Sequence, residues 1–369
     1  MPRGSDARAG RRARAGRPWQ DAAAAAAWDR RGPALGEFEL IERLRTIVPG
    51  GGAGVVRAIG DDTAVLRPAA LLLATCDVQV EGIHFTRELC SPADVGWRAL
   101  AVNLSDIAAM GGVPRHALVA LLVPPSVGSA ALEELYAGIA ELARLYGVAV
   151  VGGNVSATSG PLAVDVTLLG DAEHPVLRSG ARPGDGVWIT GETGKAVAGR
   201  FLLEHAGMAV AARDTLEAAY RRPAPRVAAG RALGTLAASG LVTAMIDTSD
   251  GTASDLLHLA EASAVGVRLD AARLPMPAAL PEIARAAGVA PDTWTLGGGE
   301  DYELLFTAAA GFEARAAGVT REAGVPLTRI GEVLAERDGR WVVTAEGERR
   351  PLRPAGWDHL AGAPARAPA

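Results

Sequence analysis

The chain has 369 residues, with 37 basic and 42 acidic side chains and a net charge of −5. Eight Arg and three Asp fall in residues 1–34, so the rest of the chain is strongly acidic, which excludes a broad nucleic-acid-binding surface. The best apolar run, 117–123, is far too short to span a membrane, and Cys76 and Cys90, the only cysteines, lack the spacing of a disulfide framework or zinc site.

Length predicts two domains, each able to bury a core. With aromatics at 4%, that core must come from Ala, Leu and Val. Lys195 is the only lysine, so a phosphate site would rely on Arg, backbone N–H groups and metal ions.

In chain order, residues 1–34 are rich in Arg, Ala, Gly and Pro and predict a disordered basic leader. An N-terminal domain over 35–170 and a C-terminal domain over 171–362 follow, then a disordered tail over 363–369. Phe38, Ile41, Leu44 and Ile47 have helical spacing over 37–48. Short apolar runs at 64–66 and 71–74 lead to Asp77. Ser91-Pro92 is a helix start, and that helix should run through Trp97, Leu100, Leu104 and Ile107 to Gly111-Gly112.

A strand at 117–123, a helix at 129–146 and a strand at 148–151 ending in Gly152-Gly153-Asn154 come next, then a strand at 162–169. The turn-rich stretch 178–185 reads as a domain junction. Beyond it lie a strand at 187–190, helices at 197–208 and 225–239, and a strand at 242–246 that runs into Asp247-Thr248-Ser249-Asp250-Gly251. A helix over 253–264 and Gly297-Gly298-Gly299-Glu300-Asp301 before a strand at 302–307 complete the alternation. The fold class is two α/β domains.

Acidic residues and glycines gather at the ends of the apolar strands: Gly60-Asp61-Asp62, Asp77, Asp247 with Asp250, and Glu300-Asp301, with Asp106 inside a helix. Strand ends are where α/β folds place ligands. Carboxylates collected there repel one another unless a cation lies between them, and Mg²⁺ takes carboxylate and phosphate oxygens together. Each element also has a plainer reading: Asp-Gly pairs mark turns, Asp106 is a satisfied, partly buried carboxylate, and Asp247 to Asp250 cap a helix. Gly191-Glu192-Thr193-Gly194-Lys195 lacks the spacing of a phosphate-binding P-loop and is rejected as one.

Taken in order, Ile59-Gly60-Asp61-Asp62, Asp77-Val-Gln-Val-Glu-Gly-Ile-His84, Ala101-Val-Asn-Leu-Ser-Asp106, Arg178-Ser-Gly-Ala, Asp247-Thr-Ser-Asp250-Gly, Gly298-Gly-Glu-Asp-Tyr-Glu-Leu and Gly356-Trp-Asp-His359 resemble the thiamine-monophosphate kinase family. That family lies within the superfamily of aminoimidazole ribonucleotide synthetase-like ATP enzymes. The resemblance covers residues 36 to 360. It implies a cytoplasmic homodimer whose N-terminal domains pair into a β-barrel, with ATP as co-substrate, Mg²⁺ ions, and phosphoryl transfer to thiamine monophosphate giving thiamine diphosphate.

Carried over position by position, the resemblance makes Asp62, Thr75, Cys76, Asp77, Asp106, Asn154, Asp247 and Asp250 the metal ligands. Tyr136, Gly153, Asn154, Arg178 and Ser249 would contact ATP, and His84, Glu300 and Trp357 the thiamine substrate. No general base is implied, because the acceptor phosphate is already ionised. Two positions depart from the family pattern: Asn154 stands where Asp is usual, and Cys76 where Ser or Thr is usual. A thiol is a poor ligand for hard Mg²⁺, although the backbone carbonyl at 76 remains available. Two alternatives stay open: another ATP-using synthetase of the same superfamily, and a weakly active homologue that binds nucleotide or thiamine phosphate.

Overall fold

The computed structural model describes residues 27–28, 37–59, 64–67 and 71–356. Asp62, Trp357 and the C-terminal tail lie outside the described residues.

The elements are α1 (Glu37–Ile47), β1 (Val55–Arg57), β2 (Val65–Leu66), β3 (Leu72–Val80), α2 (Pro92–Ala109), β4 (Val113–Val123), α3 (Ser129–Tyr146), β5 (Ala149–Ala157) and β6 (Ala163–Asp171) in the first half. The second half holds β7 (Gly186–Thr190), α4 (Lys195–Glu204), α5 (Arg213–Arg221), α6 (Val227–Ala237), β8 (Val242–Asp247), α7 (Thr252–Ala262), β9 (Gly266–Asp270), α8 (Leu280–Ala286) and α9 (Pro291–Gly297). It ends with β10 (Leu304–Ala308), α10 (Glu313–Ala323), β11 (Leu327–Leu334), β12 (Arg340–Val343) and β13 (Arg349–Pro351).

The expected helix starts hold where local chemistry specifies them. Ser91 caps α2 in a reciprocal capping box with Asp94, and Pro92 occupies the first turn, so two orphan N–H groups are satisfied at once. Boundaries differ where only long-range pairing decides them. β5 does not stop at Gly152-Gly153-Asn154 but continues to Ala157, because it pairs in parallel with β4 along that length. A register shift between Ala117 and Leu118 brings the two strands so close that a Cβ on Gly153 would lie 1.8 Å from the Val119 carbonyl oxygen. Only glycine fits there.

Besides the small antiparallel β1–β2 pair, the two larger sheets are mixed rather than parallel. The N-terminal sheet has the order β3-β6-β4-β5, antiparallel except for the β4–β5 pair. The C-terminal sheet has the order β13-β12-β9-β11-β7-β10-β8, in which only β9 and β12 run parallel. One face of the N-terminal sheet packs on α2 and α3, burying Ala117, Val119 and Leu121. The backbones of these helices touch where Gly96 meets the Leu135 carbonyl and Gly138 meets the Ala93 carbonyl, a Cβ at either position falling 1.9 Å from the opposing oxygen.

The opposite face of that sheet carries exposed Leu72, Val78, Leu118 and Leu122. α2 also packs against α6 and β8. One continuous core therefore runs from the N-terminal sheet to Trp188, Met245 and Phe306 on the C-terminal sheet. A second core, with Val187, Ile246 and Leu256, covers the other face of the C-terminal sheet.

Trp28 falls inside the stretch expected to be a disordered leader, yet it is helical and buried. It stacks on Phe85 with ring centroids 6.4 Å apart and donates from Nε1 to the Cys90 carbonyl at 2.9 Å. An indole buries a large apolar surface while its N–H keeps a hydrogen-bond partner. Among the described residues no helix is long and apolar enough to cross a membrane.

Candidate active site between the two domains

A cavity of about 840 Å³ opens where β3 and α2 of the first half face β8, α4 and the glycine-rich Gly297–Gly299 turn of the second. α2 is its spine. Arg98, Val102, Ser105 and Asp106 recur at helical spacing on the side of α2 that meets the cavity and β8, as side chains three and four apart must.

The acidic end is built from three elements. Asp77 lies in the middle of β3, not at a strand end, and its N–H donates to Asn103 Oδ1 on α2 at 3.1 Å. Asp106 accepts a hydrogen bond from Thr75. Asp247 ends β8 and accepts from Ser105 Oγ at 2.6 Å, a link between the two halves.

Asp250, Ser249 and Arg178 complete this lining. Burial, and then the neighbouring Asp106 charge, pushes Asp77 up to about 6. Burial and the Asp247 charge do the same to Asp106, and burial alone dominates at Asp247, each again to about 6. Asp255, behind them, is pushed up to about 8 by burial and by Asp247. Such mutual repulsion marks a place prepared for positive charge.

Every donor at this end is a hard oxygen, the set that Mg²⁺ prefers. No three His, Cys, Asp or Glu side chains among the described residues close around one point, so the rest of a cation's shell would come from phosphate oxygens and water.

The other end holds His84, Gln79, Tyr220 and Glu300. Val80 donates its N–H to His84 Nδ1 at 3.0 Å, which leaves the ring proton on Nε2. Glu300 and Tyr302 have φ of 66° and 50°, the left-handed region that non-glycine residues avoid. The loop is held there because the Glu300 and Tyr302 N–H groups donate to the Ser249 and Thr248 carbonyls at 2.8 and 2.9 Å. Glu300 Oε1 accepts from Arg98, which also donates to the Tyr220 carbonyl and stacks its guanidinium 4.8 Å over the Tyr220 ring. Burial works against the Arg98 charge, but Glu300 and the surrounding groups more than offset it and raise its pKa.

The structure thus brings together Asp77, Asp106, Asp247, Asp250, Arg178, Ser249, His84 and Glu300, with Thr75 bonded to Asp106. Among the described residues it does not bring in the side chains of Cys76, Gly153, Asn154 and Tyr136. Strand alternation turns Cys76 to the opposite face of β3, where its Sγ lies 3.3 Å from Asp165 Oδ1 and 3.5 Å from Thr167 Oγ1. Of Cys76, only the backbone can reach the acidic end. Asn154 sits on that same outer face, in register with Ala120, Asp165 and Val78. Gly153 answers to strand packing, as above. Tyr136 is buried between α3 and its neighbours, and burial raises its pKa.

Arg98, Gln79 and Ser105 went unmarked in the sequence. For Arg98 a signal existed: a charge four and eight residues before Val102 and Asp106 in an otherwise apolar helix.

The rejected P-loop segment has a structural use instead. Asp301 caps α4, accepting from Gly194 N–H at 2.5 Å and Ala196 N–H at 2.9 Å. Lys195 pairs with fully buried Glu303, which Arg226 grips at 2.7 and 2.5 Å. The single lysine is therefore committed to a buried ion pair.

Two family models match the chain: AIR synthase related protein, N-terminal domain, over residues 60–172, and its C-terminal domain, over residues 182–344. Two mixed-sheet α/β domains with an acidic cleft between them define an AIR synthase related protein. The chain is 38% identical over 337 residues to the thiamine-monophosphate kinase of Escherichia coli, covering 89% of this chain and 99% of that one. It is 36% identical over 314 residues to the thiamine-monophosphate kinase of Rhodopirellula baltica, covering 83% and 92%.

Among solved structures, thiamine-monophosphate kinase from Stenotrophomonas maltophilia superposes with a TM-score of 0.73 at 34% identity over 86% of this chain and 98% of that one. AaThiL complexed with AMPPCP and TMP superposes with a TM-score of 0.68 at 32% identity over 90% and 99%. The chain belongs to the thiamine-monophosphate kinase family. Hydrogenase maturation protein HypE of E. coli, at 19% identity and a TM-score of 0.69, shares the fold alone.

Proposed function

We propose that this protein is an enzyme that transfers the γ-phosphoryl group of ATP to thiamine monophosphate, giving thiamine diphosphate and ADP. The observation that carries the reading is one cavity with an acidic, arginine-flanked end and a separate end holding His84 and Glu300, in a chain whose relatives bear the name of that activity. Both reacting groups are phosphates, so the acceptor needs no strong base. The obstacle is repulsion between two polyanions.

Asp77, Asp106, Asp247 and Asp250 are the side chains that would hold Mg²⁺, shared between more than one ion since no three of them meet at one point, with Thr75 orienting Asp106. Bound there, Mg²⁺ would supply the positive charge that offsets the phosphates. Arg178 and Ser249 face the nucleotide phosphates from the same end. His84 offers an N–H and Glu300 a carboxylate to the thiamine moiety. The tie of Ser105 to Asp247 fixes one domain's carboxylates against the other's, which holds donor and acceptor sites at a constant separation.

We further propose a cytoplasmic homodimer in which the apolar outer face of the β3-β6-β4-β5 sheet pairs with a second copy into a β-barrel. Four exposed aliphatic side chains on one sheet face form the kind of patch that monomers seldom leave uncovered. Both cysteines are unpaired, in keeping with a reducing compartment.

Purified protein incubated with ATP, Mg²⁺ and thiamine monophosphate in an ADP-coupled assay tests the activity. ADP release that depends on thiamine monophosphate, and not on other phosphate acceptors, is expected. Equal release with unrelated acceptors would favour another synthetase of the superfamily.

A further inference from the structure

The loop between β3 and α2, residues 81–91, places Ile83 and His84 on the cavity wall. Its first half is tied to β3: the Ile83 and His84 N–H groups donate to the Val80 carbonyl at 3.2 and 2.9 Å. The Gly82 N–H donates to the Phe85 carbonyl at 2.8 Å, which closes the bend that carries both residues. Its second half is held by Arg87 on Glu81 at 2.8 Å and by Arg221 on the Leu89 carbonyl at 2.7 Å.

Trp28 packs behind this loop from a distant part of the chain. Its indole lies nearly parallel to the ring of Phe85, the residue after His84, at an interplanar angle of 15°. Both rings are 1% exposed. Indole Nε1 donates to the carbonyl of Cys90, next to the Ser91 cap of α2, and the Arg87 guanidinium lies 5.4 Å over the same ring. One side chain therefore engages the loop at 85, 87 and 90.

Truncating the indole would leave a void against Phe85 and take a donor from the Cys90 carbonyl. A loop held in its binding conformation spares an arriving ligand the entropy of ordering it. The benefit falls on the ligand that meets Ile83 and His84, and not on one that meets the acidic end.

We propose that Trp28 is a positioning residue for the acceptor: by clamping the 81–91 loop from behind, it holds Ile83 and His84 where thiamine monophosphate binds. The inference rests on the thiamine-monophosphate reading above. It adds a residue outside the family resemblance, which begins at residue 36, and outside the matching N-terminal family model, which begins at residue 60.

The test compares full-length wild type, Trp28→Phe and Trp28→Ala by KM for each substrate and by amide hydrogen exchange without ligands. Trp28→Ala is expected to raise KM for thiamine monophosphate about tenfold, as loss of positioning does, and to leave KM for ATP within about twofold. Exchange should quicken in residues 81–91 more than in α7, because the opening is local. Trp28→Phe keeps a ring on Phe85 and loses only the hydrogen bond, so its KM for thiamine monophosphate should rise about threefold.

Parallel rises in the two KM values, or exchange that quickens equally in α7, mean general destabilisation and overturn the proposal. So do unchanged KM values. If Trp28→Ala does not fold, Trp28→Phe carries the same comparison. A wild type that does not turn over thiamine monophosphate overturns the reading of the activity and this inference with it, whereas an active wild type indifferent to Trp28 overturns this inference alone.

Discussion

Arg98 on α2 reaches across the domain interface to Glu300, the residue that opens the strained turn before β10. One wholly buried guanidinium thereby holds the Tyr220 carbonyl, the Tyr220 ring and the cavity-facing carboxylate. Removing one partner of a buried ion pair costs about 3–5 kcal/mol. Because Glu300 keeps some exposure, with 27% of its side chain accessible, the lower part of that range applies. Arg98→Met should therefore lose about 3 kcal/mol in denaturant unfolding, and it should raise KM for thiamine monophosphate more than KM for ATP. Arg98→Lys should recover part of both, and a variant as stable and active as the wild type would remove Arg98 from this role.

The acidic end predicts a pH signature. Asp77, Asp106 and Asp247 have folded pKa values near 6 against an unfolded value of about 3.9. With folded values raised, the folded state holds more protons between those limits, so stability is greatest below the unfolded pKa and falls as pH rises through 6. Asp301 and Asp255, pushed to about 7 and about 8, extend the fall. Mg²⁺ with nucleotide binds the ionised form, so the Tm increase it produces should be larger at pH 8 than at pH 5. Thermal unfolding at both pH values, with and without Mg-nucleotide, checks this; an equal increase at both would show that these carboxylates do not bind the metal.

Leu118 and Leu122 stand on the outer sheet face, with 36% and 46% of their surfaces exposed in the single chain. Leu118→Asp should turn a dimer into a monomer in sedimentation, with little loss of monomer stability because Leu118 packs on no core in one chain. A variant that sediments as the wild type does would place any dimer contact elsewhere.

Lys195 should behave as a structural residue. Glu303 keeps Arg226 and Thr190 when the lysine is removed, so Lys195→Met is expected to cost about 1–3 kcal/mol of stability. KM for ATP should stay within about threefold at saturating Mg²⁺, which corresponds to under 1 kcal/mol. A hundredfold rise in that constant would restore the lysine to the phosphate site.

Several of these residues announce their positions before folding is considered. Asp77 and Cys76 are neighbours in a strand, and period-two alternation alone sends them to opposite faces. The Cys76 thiol therefore could not join the carboxylates, a conclusion within reach of the sequence. Asn154 is harder. Its face depends on the register between β5 and β4, which a shift at Ala117 sets and no local pattern encodes. The same holds for Arg98 and Glu303, whose burial as ions depends on partners about 200 and 77 to 108 residues away.

The sequence by itself determined six of the helices, α1 to α4, α6 and α7, whose periodicities and end signals are local, while α5, α8, α9 and α10 were not foreseen; it also determined the acidic character of the ligand site and the family. Tertiary structure alone decided that the sheets are mixed and which carboxylates share a cavity. It also decided that Asn154 and Cys76 stand on an outer face, and that the one lysine is spent on an ion pair. The physical reason is range. A capping box or an amphipathic stripe is settled within a few residues. Sheet order and the pairing of buried charges are settled only when distant segments compete for the same core and the same hydrogen-bond partners.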